Sequence, residues 1–359
     1  MKKLLIIIFV LIILVVGGFF FFKPEKKVEF DLEKCETLKY NGEGNINVVF
    51  MSEKEDAEKY INALYETKPF DENKGKFNFY LIKGYKPECE LYKGIALYCY
   101  SKDLVKKSGS CPNDYVVVVK EKEKRIRSSA YMNVISINSK HHTNVFAHEF
   151  GHSFAYFAEE YTPAKIPKKA KNCFNTCDKF EGKEDECMEG CSKGNYFRSI
   201  DQGVMKTLKT NRFGNYNEQF IQKRIDESTE SSGKVTGKAT HEERDCSKES
   251  YLLVGATISR DGKFNLGESE STVGCKGEGY GSYSIEVGSE RAYLNPKHIF
   301  TAAPDEKGNL IGETYPSDKP FYLAISEIKG TEEVIIKNED GKTVSIMKKS
   351  VYWCLDPNA

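Results

Sequence analysis

Apolar positions along the chain fall into three patterns. The first is a single block: Leu4 to Phe22 is 19 residues without a charge, set between Lys2-Lys3 and Lys23, Lys26 and Lys27. At 1.5 Å per residue this run just spans a hydrocarbon core of about 30 Å. It closes on four Phe and Lys-Pro, with no small-residue cleavage pattern, and so predicts an uncleaved signal anchor over residues 1–27, cleavage being the alternative. The flanking lysines are nearly balanced and do not set its orientation. A charged stalk over 28–44 follows.

The second pattern alternates short continuous apolar runs with a helical period. Ile46 to Met51 (INVVFM), Phe77 to Ile82 (FNFYLI), Tyr115 to Val119 (YVVVV) and Tyr131 to Ile137 read as buried strands. Between the first two, Glu53 to Thr67 places Ala57, Tyr60, Ile61, Leu64 and Tyr65 on one side of a helix. Strands separated by helical segments predict a mixed α/β (α+β) domain over 45–225. Residues 226–245, DESTESSGKVTGKATHEERD, hold almost no apolar residue and predict a linker.

The third pattern occupies 246–359. Short runs recur between Gly and Pro turns, at Tyr251 to Ile258, Ser282 to Val287, Phe321 to Ile328 and Glu333 to Ile336, without a helical period. They predict a separate β-sandwich-like domain.

Charge and cysteine narrow the function classes. Lys+Arg and Asp+Glu are both 53, so the totals carry none of the basic excess of a nucleic-acid binder. The 11 cysteines behind an apolar N-terminus predict disulfides in an oxidising space, with the bulk of the chain extracellular and one cysteine left over. In Cys173-x₃-Cys177-x₉-Cys187-x₃-Cys191, Cys173–Cys191 and Cys177–Cys187 bridges would staple two short helices as a hairpin over 173–191. A four-thiolate zinc site is the rival, though such sites favour C-x₂-C spacing. Cys89–Cys99 could close a local loop, and Cys246, Cys275 and Cys354 could serve the β region.

The chemistry is concentrated in Val145 to Tyr161, VFAHEFGHSFAYFAEEY, in a chain with only 6 His. His148 and His152 are one helical turn apart on one face, where two imidazoles hold one metal. Glu149 lies beside that line, placed to take a proton from a metal-activated water without ligating. A catalytic zinc takes three protein ligands. His141 and His142 precede the helix, and Glu159 and Glu160 follow it. On an unbroken helix Glu159 would lie about 10 Å beyond His152 along the axis, so it reaches the metal only if the helix breaks and the chain turns back. Gly151 leaves room for a close neighbour.

HEFGHSFAYFAEEY resembles the IgA-peptidase-like zinc metallopeptidases of metzincin type, whose pattern is H-E-x-G-H-[SA]-F followed by an acidic pair and Tyr. The likeness extends over about residues 45–225, from INVVFMSEKEDAEKYINALYETKPFDENKGKFNFYLI to YFRSIDQGVMKTLKTNRFGNYNEQFIQKRI; the C-terminal region is not covered. It implies a zincin-like fold and one catalytic Zn²⁺ held by His148, His152 and Glu159, with Glu160 as the alternate ligand. It further implies Glu149 as general base and Met205 as the Met-turn residue packed beneath the metal. The strand in the position of Ala130 to Ile137 would form the cleft edge that pairs with a peptide backbone. Family members usually carry Gly where this chain has Ala155-Tyr156, and Asp where it has Glu159. The expectation is a membrane-anchored extracellular zinc metalloendopeptidase acting on protein or peptide substrates, anchored through residues 4–22. The alternative is a catalytically inert zincin-fold surface binding protein.

Overall fold

A computed structural model describes residues 32–180, 187–230, 244–259, 262–277, 281–288, 290–326 and 333–348. Its centre is an eight-stranded mixed sheet. In chain order it uses β1 (Cys35–Lys39), β2 (Ile46–Met51), β3 (Phe77–Ile82), then, after the small β4 (Glu90–Tyr92) and β5 (Ala96–Tyr98) hairpin, β6 (Tyr115–Lys120), β7 (Ser128–Tyr131) and β8 (Val134–Asn138). The spatial order is β1-β3-β2-β6-β8-β7, followed by two further strands from the C-terminal region. Strands β3, β2, β6 and β8 run parallel, with Val48 beside both Phe79 and Tyr115 and Val117 beside Ile135. Their near-continuous Val, Ile and Phe content reflects cover on both faces.

One face packs under α1 (Lys54–Tyr65), α3 (Val145–Ala155) and α4 (Asn215–Glu230), in a core that includes Val48, Phe50, Phe79, Val117, Phe146, Phe150 and Ile221. A short α2 (Lys102–Ser108), capped by Ser101, completes the helices. Strands β9 (Met188–Cys191) and β10 (Lys193–Arg198) form a small ribbon. The opposite sheet face packs against strands of the last third of the chain: β11 (Ser250–Ile258), β12 (Phe264–Val273), β13 (Tyr283–Val287), β14 (Glu290–Leu294), β17 (Phe321–Ser326), β18 (Glu333–Lys337) and β19 (Thr343–Lys348). These make a three-stranded sheet, β12-β11-β17, and a four-stranded one, β14-β13-β18-β19.

The structure corrects four expectations. The region 246–359 is not a separate domain: residues 32–359 form one compact unit, and Val49, Tyr80 and Val116 share a core with Leu252, Tyr283 and Ile325. Moreover β15 (His298–Pro304) and β16 (Leu310–Pro316) leave the sandwich-like sheets and extend the central one, β15 pairing with β7. The expected strand over Tyr131 to Ile137 is two strands, because Met132 takes φ 56° and the chain reverses there. The antiparallel strand beside the helix is therefore β7, and it is not an edge. Finally, the linker over 226–245 begins as helix, since α4 runs to Glu230; residues 231–243 lie outside the described residues.

Ten cysteines pair as Cys35–Cys111, Cys89–Cys99, Cys173–Cys191, Cys177–Cys187 and Cys246–Cys275. Both bridges expected within 173–191 are present, which removes the four-thiolate zinc alternative. The described part of that insertion is turns and a strand, not two helices. Cys354 lies outside the described residues. Five disulfides place the folded region in an oxidising, extracellular or secretory setting. The expected membrane span at 4–22 also lies outside the described residues, among which no helix is long and apolar enough to cross a membrane.

Candidate metal centre

Helix α3 positions the first two side chains through its own periodicity. Phe146, Phe150 and Phe154 recur at i, i+4 and i+8, pack into the helix-side core with Phe70, Phe77 and Tyr115, and fix the helix rotation. His148 and His152 are offset by two residues, about 200° around the axis, and so face the other way. Asn144 ties the start of the helix down by donating from Nδ2 to the carbonyls of Leu208 and Thr210.

The helix then ends where the third ligand needs it to. Ala155 is the last helical residue, and Tyr156 adopts φ 56°, ψ 41°. The Phe157 N–H donates to the Gly151 carbonyl and the Tyr156 N–H to that of His152, so carbonyls of the last turn are satisfied as the chain turns back. A helix most often ends on Gly at such a left-handed position, and a side chain there costs on the order of 1 kcal/mol. The ring of Tyr156 is buried, with its hydroxyl 3.2 Å from His298 Nδ1 and its face edge-on to Phe300. Ser153 to Ala158 holds no Gly or Pro, and tertiary contacts supply what local propensity does not.

After the turn, Asn172 clasps the returning chain. Its Oδ1 accepts from the Ala158 N–H at 2.7 Å, and its Nδ2 donates to the Ala158 carbonyl and to Glu160 Oε1. Ser192 Oγ donates to the Glu159 carbonyl at 2.6 Å. Asn172 and Ser192 each adjoin a cysteine of the Cys173–Cys191 bridge, so the insertion buttresses the third-ligand turn. Asn172 was not anticipated. Its place directly before Cys173 was the only available signal.

The side chains converge as follows. His148 Nε2 and His152 Nε2 are 3.2 Å apart, and Glu159 Oε2 and Oε1 lie 3.3 Å and 3.1 Å from them respectively. Each Nδ1 sits against a backbone carbonyl, that of Val204 for His148 at 3.0 Å and that of Phe157 for His152 at 2.7 Å. A carbonyl only accepts, so Nδ1 carries the hydrogen on both rings and Nε2 presents a lone pair. Two lone pairs and a carboxylate thus face one point with no donor among them. His148, His152 and Glu159 form a group able to hold one metal ion.

Electrostatics point the same way. All three side chains are buried. Burial holds the His152 pKa below its usual value, which disfavours an imidazolium. Burial also works against an ionised Glu159, yet the charges and hydrogen bonds of His152 and His148 would bring its carboxyl down to about 2. A cation bound between the three side chains could supply the counter-charge for a buried Glu159 carboxylate.

Glu149 is fully buried with neither carboxylate oxygen hydrogen-bonded among the described residues. Burial first, and the negative charge of Glu159 second, push its pKa well above the usual carboxylate range. Tyr161 lies close to both acids; burial and then Glu159 raise its hydroxyl pKa far above that of a free phenol.

The remaining candidates do not enter the group. Glu160 points away, its Oε1 accepting from Asn217 at 2.9 Å and Asn172 at 3.1 Å, while burial pushes its pKa up to about 7. His141 bonds Ser128 Oγ and the Lys124 carbonyl, and His142 Nδ1 accepts from the Asn144 N–H. Met205 is buried against α3: a Cβ on Gly151 would stand 2.7 Å from its Sδ. Gly151 thus admits a side chain rather than another backbone. The same segment orients His148 through the Val204 carbonyl and receives the Glu160 N–H on the Met205 carbonyl at 3.0 Å.

No protein-family model matches the chain, and no curated protein matches it.

Proposed function

We propose that the protein is a zinc metallopeptidase of the zincin type, akin to the IgA-peptidase-like family that its motif resembles. The observation that carries this reading is the donor-free convergence of two imidazole lone pairs and a buried carboxylate, with a second, protonatable carboxyl on the next residue of the helix. Two nitrogens and one oxygen suit Zn²⁺, which takes such mixed sets tetrahedrally and leaves one position open in catalytic sites.

His148, His152 and Glu159 would hold the ion. When bound, zinc would supply Lewis-acid polarisation of a peptide carbonyl and acidify the attacking water. The rest falls to the chain's own groups. The Val204 and Phe157 carbonyls fix both histidines in the Nδ1–H tautomer. Glu149, with its raised pKa, accepts a proton from the attacking water and returns it to the leaving amine. Tyr161 is placed by its hydroxyl to donate toward negative charge developing beside Glu159.

The test begins with metal content of the purified folded region, residues 28–359. One zinc per chain is expected, with loss in Glu159→Ala. Glu149→Gln is expected to keep the zinc and lower peptide hydrolysis by roughly 10²-fold or more. A chain that binds no zinc, or a Glu149→Gln variant as active as wild type, overturns the reading. Zinc retained with no hydrolysis by any form would favour the inert surface-binding alternative. Membrane anchoring through residues 4–22 belongs to the same proposal and is read by whether the full chain partitions with membranes.

A further inference from the structure

The His148, His152, Glu149 and Glu159 side chains are at most 1% exposed, which no enzyme acting on a protein chain can sustain while working. The β15–β16 hairpin lies against this group, with Phe300 stacked on His152. It is inserted between β14 and β17 of the sandwich-like sheets and reaches across to the central sheet.

Its contacts fall on both walls of the site. On one side β15 runs antiparallel to β7, with Phe300, Thr301 and Ala302 opposite Ala130, Ser129 and Ser128. On the other, the tip meets the segment that carries Met205: Thr207 bridges Asn309, the Leu310 N–H donates to the Lys206 carbonyl, and Thr207 Oγ1 donates to the Gly308 carbonyl. Between the walls, the Phe300 ring stacks on His152 at 4.2 Å and 13°. Gly312 passes directly over Tyr161. A Cβ at Gly312 would run into the Thr301 carbonyl oxygen of β15 and fall 2.6 Å from the Tyr161 hydroxyl, so both the β15–β16 pairing and its contact with Tyr161 require glycine there.

We propose that this hairpin is a displaceable internal occupant of the peptide cleft, and that a substrate takes the place of β15. The inference rests on the peptidase reading for its function, but not for its geometry. The substrate is then an extended peptide pairing antiparallel with Ser128–Ala130, with a bulky apolar residue in the position of Phe300 and small residues two and three places on, where Ala302 and Ala303 stand. The exposed tip, with Glu306, Lys307 and Asn309 in solvent, is the accessible point for a cut or a partner that draws the hairpin out. Among the described residues β16 is an edge strand paired with β15, so the hairpin is tied to the central sheet by the β15–β7 pairing alone.

The test compares three forms: wild type, Gly312→Val, which disrupts the β15–β16 pairing together with the contact on Tyr161, and Ser129→Cys/Thr301→Cys, which joins β15 to β7. The first readout is the rate at which a chelator such as 1,10-phenanthroline removes zinc. The second is binding of a labelled peptide of sequence HIFTAAP. Gly312→Val is expected to release zinc at least about tenfold faster and to bind the peptide at least about tenfold more tightly than wild type. The cross-linked form is expected to release zinc more slowly than wild type, which keeps the test valid if the valine variant misfolds. Equal rates and equal binding across the three forms overturn the proposal. Opening without cleavage would refute the peptidase reading and keep the plug; cleavage by wild type and cross-linked form alike would do the reverse.

Discussion

At the scale of single residues, the site depends on side chains whose surroundings contradict their usual behaviour. Tyr156 holds a left-handed conformation that a β-branched residue tolerates poorly. Tyr156→Val is expected to cost roughly 2 kcal/mol or more and to weaken zinc retention by displacing Glu159, measured by urea unfolding and metal content. Glu160 gives a pH prediction. Burial pushes the pKa of its carboxyl up to about 7 in the folded chain, whereas in the unfolded chain it loses its proton near the ordinary value of 4.5. The folded state binds more protons across that window, so this group's contribution is intact below about 4.5 and is lost as pH rises through about 7. Glu160→Gln is expected to flatten the decline in unfolding free energy between pH 5 and 7.5, by roughly 3 kcal/mol at most. A variant whose stability falls as steeply as wild type would refute the assignment.

At the scale of elements, Glu159 is held by a turn that the Cys173–Cys191 disulfide, Asn172 and Ser192 brace. Removing Asn172 leaves the Ala158 N–H and the Glu160 carboxylate short of partners inside the protein. Asn172→Ala is expected to cost about 2–3 kcal/mol and to lower zinc affinity, while Asn113→Ala, a buried asparagine far along the chain, lowers stability alone. Equilibrium dialysis against zinc separates the two. Helix α3 was legible as an element because its Phe and His periods are regular and out of phase. Its end was not, because the stop is a non-glycine left-handed residue fixed by His298 and Phe300, nearly 150 residues downstream. The two-stranded nature of 128–138 was hidden for a similar reason: Met132, not Gly or Asn, makes the reversal.

At the scale of the whole molecule, a metal that binds only the folded chain is expected to stabilise it by an amount that grows with the logarithm of free metal above the dissociation constant. Free zinc at 1,000 times its dissociation constant stabilises a one-site protein by about 4 kcal/mol, so chelation is expected to lower the melting temperature, and readdition of zinc to restore it. A melting curve indifferent to chelator would place the ion outside the folded core. The C-terminal third bears on this as well, because its strands share the core of the central sheet and its hairpin roofs the site.

The sequence by itself determined the local facts: the helix bearing His148, Glu149 and His152, the buried strands that back it, and the pairing of Cys173 with Cys191 and Cys177 with Cys187. These follow from interactions within a turn of helix, along a strand, or within a short loop. Only the tertiary structure decided that Glu159 and not Glu160 joins the two histidines, that the described strands after 246 share a core with the central sheet, and that β15 pairs with β7. Each of these depends on contacts between residues far apart in the chain, where the burial of a ring or the pairing of a strand outweighs the preference of any local segment.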